Sequence, residues 1–117
     1  MPELQRDAAP EGPRVTGFRG RALLIDGTPY DGPVILTPEG VRVWDGADLL
    51  AAADLEPAPE FVLLGTGAVL EQPRRATVAA LEARGVGVEA MDTRAAARAW
   101  GVLRSEGRWV SAALRPL

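Results

Sequence analysis

Three short stretches carry residue types from which a site could be built. They are Gly65-Thr66-Gly67 behind an apolar run, Asp92-Thr93 ahead of Arg94 and Arg98, and Glu106-Gly107-Arg108 near the carboxyl end. A glycine pair leaving a strand can present backbone amides to a phosphate. An acid and a hydroxyl at a helix start, with arginines one turn on, can gather a carboxylate or phosphate. A glutamate and an arginine flanking a turn can pair across a cleft and orient a ligand.

What the chain lacks bounds this chemistry. It contains no Cys, His, Lys or Asn. Thiolate nucleophiles, disulfides and zinc-thiolate sites are therefore excluded. So are imidazole proton shuttles and imidazole metal ligands, as well as Schiff bases and a P-loop lysine. Ser105 and Ser111 are the two serines, with no base of the usual kind to activate them. Carboxylates, arginines, hydroxyls and backbone amides remain. A composition rich in Ala, Arg and Gly also fits a GC-rich, bacterial coding bias.

Each stretch has a plainer reading. A dinucleotide loop wants G-x-G-x-x-G opening a helix, and here the third glycine falls at Leu70. Six residues separate Gly67 from the expected helix start at Arg74, and Glu71 adds a negative charge to the gap. Gly65 and Gly67 are accordingly expected to supply positive φ and room for a chain crossing. Asp92 is itself an anion and is expected to cap the helix behind it. Glu106 and Arg108 are expected to clasp their turn. Asp26, Asp31, Asp45 and Asp48 lack the regular spacing of a calcium loop and read as turn and capping residues. No metal site, cofactor or catalytic residue is expected. Trp100 is expected in the core, with Trp44 and Trp109 half exposed.

These residues must be positioned by elements that the patterning predicts. Residues 1–13, with three prolines and mixed charge, read as a flexible tail, and residues 14–117 as one domain. From Arg14 to Trp44, short apolar runs alternate with Asp26-Gly27, Tyr30-Asp31-Gly32-Pro33 and Pro38-Glu39-Gly40, an antiparallel meander. A short helix is expected over Leu49 to Leu55, ended by Glu56-Pro57-Ala58-Pro59. Phe61-Val62-Leu63-Leu64 reads as a strand covered on both faces. A helix from Arg74 to Arg84, a strand from Val86 to Met91, a helix carrying Ala96, Trp100 and Leu103 at i, i+4, i+7, and a strand from Trp109 to Leu114 follow. The fold class is α/β (α+β): a meander joined to a strand-helix-strand-helix-strand half. It forms one mixed sheet, or two sheets sharing strands, with helices on one side.

The second half, from LLGTG through MDTRAAARAWGVLRSEGRWVSAAL, resembles a small α/β domain family of largely unknown function. That family includes the mitochondrial complex I assembly factor three and an adipogenesis-associated human protein. The resemblance is strong from Phe61 to Leu117 and looser over the front meander. It implies a mixed sheet packed by helices and a role in assembly, and it implies no reaction. Where many relatives carry Tyr-Asn, this chain has Trp100-Gly101.

A net charge of −3 with 13 basic residues spread among 16 acids argues against nucleic acid as a partner. No apolar run reaches the ~20 residues of a membrane-spanning helix, and no signal peptide is recognised. The expectation is a cytoplasmic, non-catalytic binding or assembly module. It would offer a surface around Gly65-Thr66-Gly67 and Glu106-Gly107-Arg108 to a partner protein, or to itself. The alternative is a small-ligand or anion cleft lined by Gly65, Thr66, Gly67, Asp92, Thr93, Glu106 and Arg108. A third reading is an enzyme using Glu106 or Asp92 as a carboxylate base.

Overall fold

The structure, a computed structural model, describes residues 12–117. Its first three strands are β1 (Val15–Arg19), β2 (Ala22–Ile25) and β3 (Thr28–Tyr30), an antiparallel sheet in that order. Asp26 and Gly27 both take positive φ, 51° and 83°, and Ile25 pairs directly with Thr28. That is the two-residue turn whose twist matches the strands it joins, and it explains why Asp-Gly stands there.

The chain then leaves this sheet. β4 (Val34–Thr37) and β5 (Gly40–Val43) form a hairpin that belongs to a second, five-stranded sheet. A 3-10 turn (Leu49–Ala53), β6 (Phe61–Gly65), α1 (Arg75–Glu82), β7 (Gly87–Met91), α2 (Thr93–Ser105) and β8 (Ser111–Leu114) complete the described chain. The second sheet has the order β5-β4-β8-β6-β7. β6 runs parallel to both neighbours, and β8 is antiparallel to β4. This is an α+β fold with mixed pairing.

Two expectations are corrected. The meander is not continuous: it breaks at Tyr30–Pro33, and the two sheets share no strand. Nor do the helices lie on one side. Side chains alternate across a strand, so Leu63, Ala112, Leu114, Val34 and Leu36 face α2 and the small sheet, together with Trp100, Leu23 and Ile25. Val62, Leu64, Ile35 and Ala113 face the opposite layer, with Leu81 of α1, Trp44 and Leu49. The five-stranded sheet is thus buried on both faces, and β4 and β8 have no exposed residue. Each leucine wholly removed from water there contributes about 1.5–3 kcal/mol.

Trp44 is buried rather than half exposed, with its indole N–H donating to the Asp48 carbonyl at 2.9 Å. Residues 1–11 of the stretch read as a tail lie outside the described residues. Its last member, Pro13, is buried, and its carbonyl accepts from the Trp100 indole at 2.8 Å.

Candidate functional site

At the carboxyl end of β6 the chain swerves through Gly65, Thr66 and Gly67, all buried. The two glycines do different work. A Cβ on Gly65 would lie 2.9 Å from Leu114 Cδ2, 2.9 Å from Thr93 Oγ1 and 3.1 Å from Thr93 Cα. Gly65 therefore lets the head of α2 close on the strand. Gly67 has φ of 106°, a backbone conformation that side chains disfavour.

The polar groups here face each other. Thr66 N–H donates to the Met91 carbonyl at 2.9 Å, and its hydroxyl donates to the Val69 carbonyl at 2.7 Å. Gly67 N–H donates to Thr93 Oγ1 at 2.7 Å, while Thr93 N–H donates to the Gly67 carbonyl at 2.8 Å. The Thr93 hydroxyl in turn donates a hydrogen bond to the Arg115 carbonyl at 2.7 Å. Thr93 is fully buried, so one side chain holds the glycine loop, α2 and the chain after β8 together. The amides of residues 66 and 67 are spent inside the fold.

Asp92 is the N-cap of α2: its carboxylate accepts from Ala95 N–H at 2.9 Å, and its carbonyl accepts from Ala96 N–H. With Thr93 N–H also taken, little of this helix start is left for an anion. Arg94 turns away from it, its guanidinium 5.6 Å from the centre of the Phe18 ring.

Glu106 and Arg108 sit elsewhere. β6 and β8 are parallel, so the turn before β8 lies at the amino end of β6, about 15 Å from the glycine loop at ~3.3 Å per strand residue. Gly65, Thr66, Gly67, Asp92 and Thr93 come together, while Glu106 and Arg108 stand at the far end of α2. The partner of Arg108 is Glu60 rather than Glu106: Nη2 to Oε1 is 2.7 Å and Nε to Oε1 is 3.1 Å. The hydrogen bond from Arg108 holds the Glu60 carboxyl below its ordinary pKa, and the same bond raises that of Arg108. Arg104, buried in the last turn of α2, donates to the Arg108 carbonyl. Glu60 is 48 residues before Arg108, and only the parallel pairing reveals it as the partner.

Asp45, Asp48 and Asp26 are structural. Asp45 accepts from the amides of Ala47 and Asp48, which lowers its pKa, with the Asp48 bond the larger cause. Asp48 caps the 3-10 turn through Leu50 N–H, and Asp26 accepts from Arg14 N–H. Among the described residues, no three acidic side chains gather where a metal ion could be held. One crevice does open at the carboxyl end of β6, about 420 Å³, lined by Leu64, Pro73, Arg74, Thr77 and Arg115. Sequence reading missed it because Arg115 reaches it from after the last strand. There its guanidinium lies 5.6 Å from the centre of the Trp44 ring and donates to the Gly46 carbonyl.

Residues 15–115 match the family described as "Protein of unknown function (DUF498/DUF598)", and the chain belongs to that family. It is 34% identical over 121 residues to the human "NADH dehydrogenase [ubiquinone] 1 alpha subcomplex assembly factor 3", covering 97% of this chain and 65% of that protein. It thus spans less than two thirds of that relative's length. An uncharacterised protein of Rhodobacter capsulatus is 39% identical over 116 residues, covering 90% of this chain and 93% of its own. A crystal structure from Bordetella parapertussis superposes with a TM-score of 0.84 at 36% identity, covering 95% of this chain and 100% of that one. A solution structure of a Bordetella pertussis protein, described as a Mth938-like domain, gives 0.81 at 30% identity, covering 97% and 92%.

Proposed function

We propose that this member of the DUF498/DUF598 family is a non-catalytic, cytoplasmic module that binds a partner protein during the assembly of a larger complex. The observation that carries the reading is the inward use of the GTG loop. Its amides and hydroxyl, the Thr93 hydroxyl and the Asp92 carboxylate all hold the chain to itself. A domain whose most chemically suggestive residues are spent on rigidity acts through its surface. The likeness to a relative named as an assembly factor supports the same direction. Among the described residues, no helix is long and apolar enough to cross a membrane.

The test is purification of the tagged chain from its native host, with native mass spectrometry of what elutes. A defined complex with a second polypeptide is expected. In parallel, phosphate, carboxylates and nucleotides should leave the melting temperature unmoved. A ligand-induced rise with no protein complex would overturn the reading.

The second reading, a small anion in a cleft beside the GTG loop, has one supporting observation. Arg74 and Arg115 both line the crevice at the end of β6. A melting-temperature rise with phosphate that is lost in Arg74→Gln would favour it.

A further inference from the structure

α2 buries one side only: Thr93, Ala96, Trp100 and Arg104. Arg94, Ala97, Arg98, Gly101, Val102 and Ser105 fall at i, i+3, i+4, i+7, i+8 and i+11, a single ridge on a helix. This ridge and β1, an edge strand of the small sheet, wall an open groove of about 670 Å³. Val15 and Phe18 line it from β1, Ala97 and Val102 from α2, and three arginines, Arg14, Arg94 and Arg98, add positive charge. Among the described residues, no carboxylate lines it.

Gly101 says how near an occupant comes. Glycine is among the poorest helix formers, and this one lies in the middle of a 13-residue helix. A Cβ built there meets nothing within 4 Å. No described neighbour in the fold requires a glycine, whereas a backbone approaching from outside would. Val102 beside it is 57% exposed.

Charge says what the occupant is. The ion pairs among the described residues are Arg42–Asp54 and Arg108–Glu60, so none of the groove arginines is neutralised by a carboxylate there. The chain as a whole carries −3, which makes this groove a local reversal of sign. Two copies joined by a two-fold axis through this face would set arginines against arginines, which disfavours self-pairing. The apolar strip between the charges suits the hydrophobic face of a helix better than a phosphate backbone.

We propose that the groove between α2 and β1 docks an acidic amphipathic helix of a partner protein, crossing α2 at Gly101. Its apolar face meets Val102 and Phe18, and its carboxylates meet Arg14, Arg94 and Arg98. The inference rests on the binding-module reading above and adds to it the surface and the partner's chemistry.

The test places a photoreactive phenylalanine analogue at Val102, and separately at Leu70 and Val43, which are exposed outside the groove. The full chain is irradiated in its native cells, and the attached peptide is sequenced. Attachment from position 102 to a carboxylate-rich helical segment of another protein is expected. Arg94→Glu combined with Arg98→Glu should reduce its yield at least about tenfold, which corresponds to about 1.4 kcal/mol. Gly101→Leu should abolish it while the melting temperature holds or rises, because the new side chain enters open space. Attachment from 102 to a second copy, or to nucleic acid, overturns the proposal. So does a Gly101→Leu protein that folds and still attaches. Attachment from Leu70 or Val43 alone removes the groove but leaves the binding module standing. No attachment from any position removes both.

Discussion

Replacing Thr93 by valine keeps the side chain's shape and deletes one oxygen. That oxygen accepts from Gly67 N–H and donates to the Arg115 carbonyl, both at 2.7 Å, on a residue with no exposure. Gly67 is itself buried, so its N–H would be stranded, at a cost of about 1–3 kcal/mol. Arg115 is half buried, and its carbonyl recovers part of its loss from water. Together the change should cost about 2–4 kcal/mol, a large part of the ~5–15 kcal/mol that holds a domain folded. For a chain of 117 residues this lowers the melting temperature by about 8–16 °C. Urea titration followed by tryptophan fluorescence should show the midpoint falling with an unchanged slope. Thr93→Ser is the control: it keeps the hydroxyl, loses a methyl, and should cost only about 1 kcal/mol. Hydrophobicity alone predicts the opposite order. A loss below about 0.5 kcal/mol in Thr93→Val would refute the claim that this hydroxyl holds the loop.

Gly65→Ala should destabilise by about 1–3 kcal/mol through overpacking. The Leu114 methyl can swing aside, but the Thr93 backbone at 3.1 Å cannot yield without lifting α2, which a thermal melt would register. Asp92→Ala should cost about 1 kcal/mol and Asp92→Asn much less, because the cap needs an acceptor oxygen rather than a charge; far-ultraviolet dichroism melts would rank them. The Glu60–Arg108 pair sets an acid limb. Because the Glu60 carboxyl is held below its ordinary value of 4.5, its contribution is present above that pH and is lost as pH falls through its folded value. In Arg108→Gln, a side-chain carboxyl NMR titration should show Glu60 moving back up, with that part of the pH dependence gone. An unmoved Glu60 would mean the pairing does not persist in solution.

Much of this molecule can be read before it folds. Asp26-Gly27 announces its hairpin because few other pairs take positive φ twice. The unbroken run Val62-Leu63-Leu64 announces a strand covered on both faces, and Asp92 announces the start of α2. These are local consequences of sterics and hydrogen bonding, carried by a few adjacent residues. What the sequence could not decide was which ends meet. The parallel pairing of β6 and β8 sends Arg108 to Glu60 and away from the glycine loop, separating two stretches that look like one site along the chain. The break after Tyr30 moves β4 into a different sheet, which turns a meander into two layers with helices on opposite sides. The groove along α2 exists only because β1 comes to rest beside a ridge of arginines nearly eighty residues away. Residue types fix what each segment can do by itself. Contacts between distant segments depend on which packing buries the most apolar surface, a property of the whole chain that no short window contains.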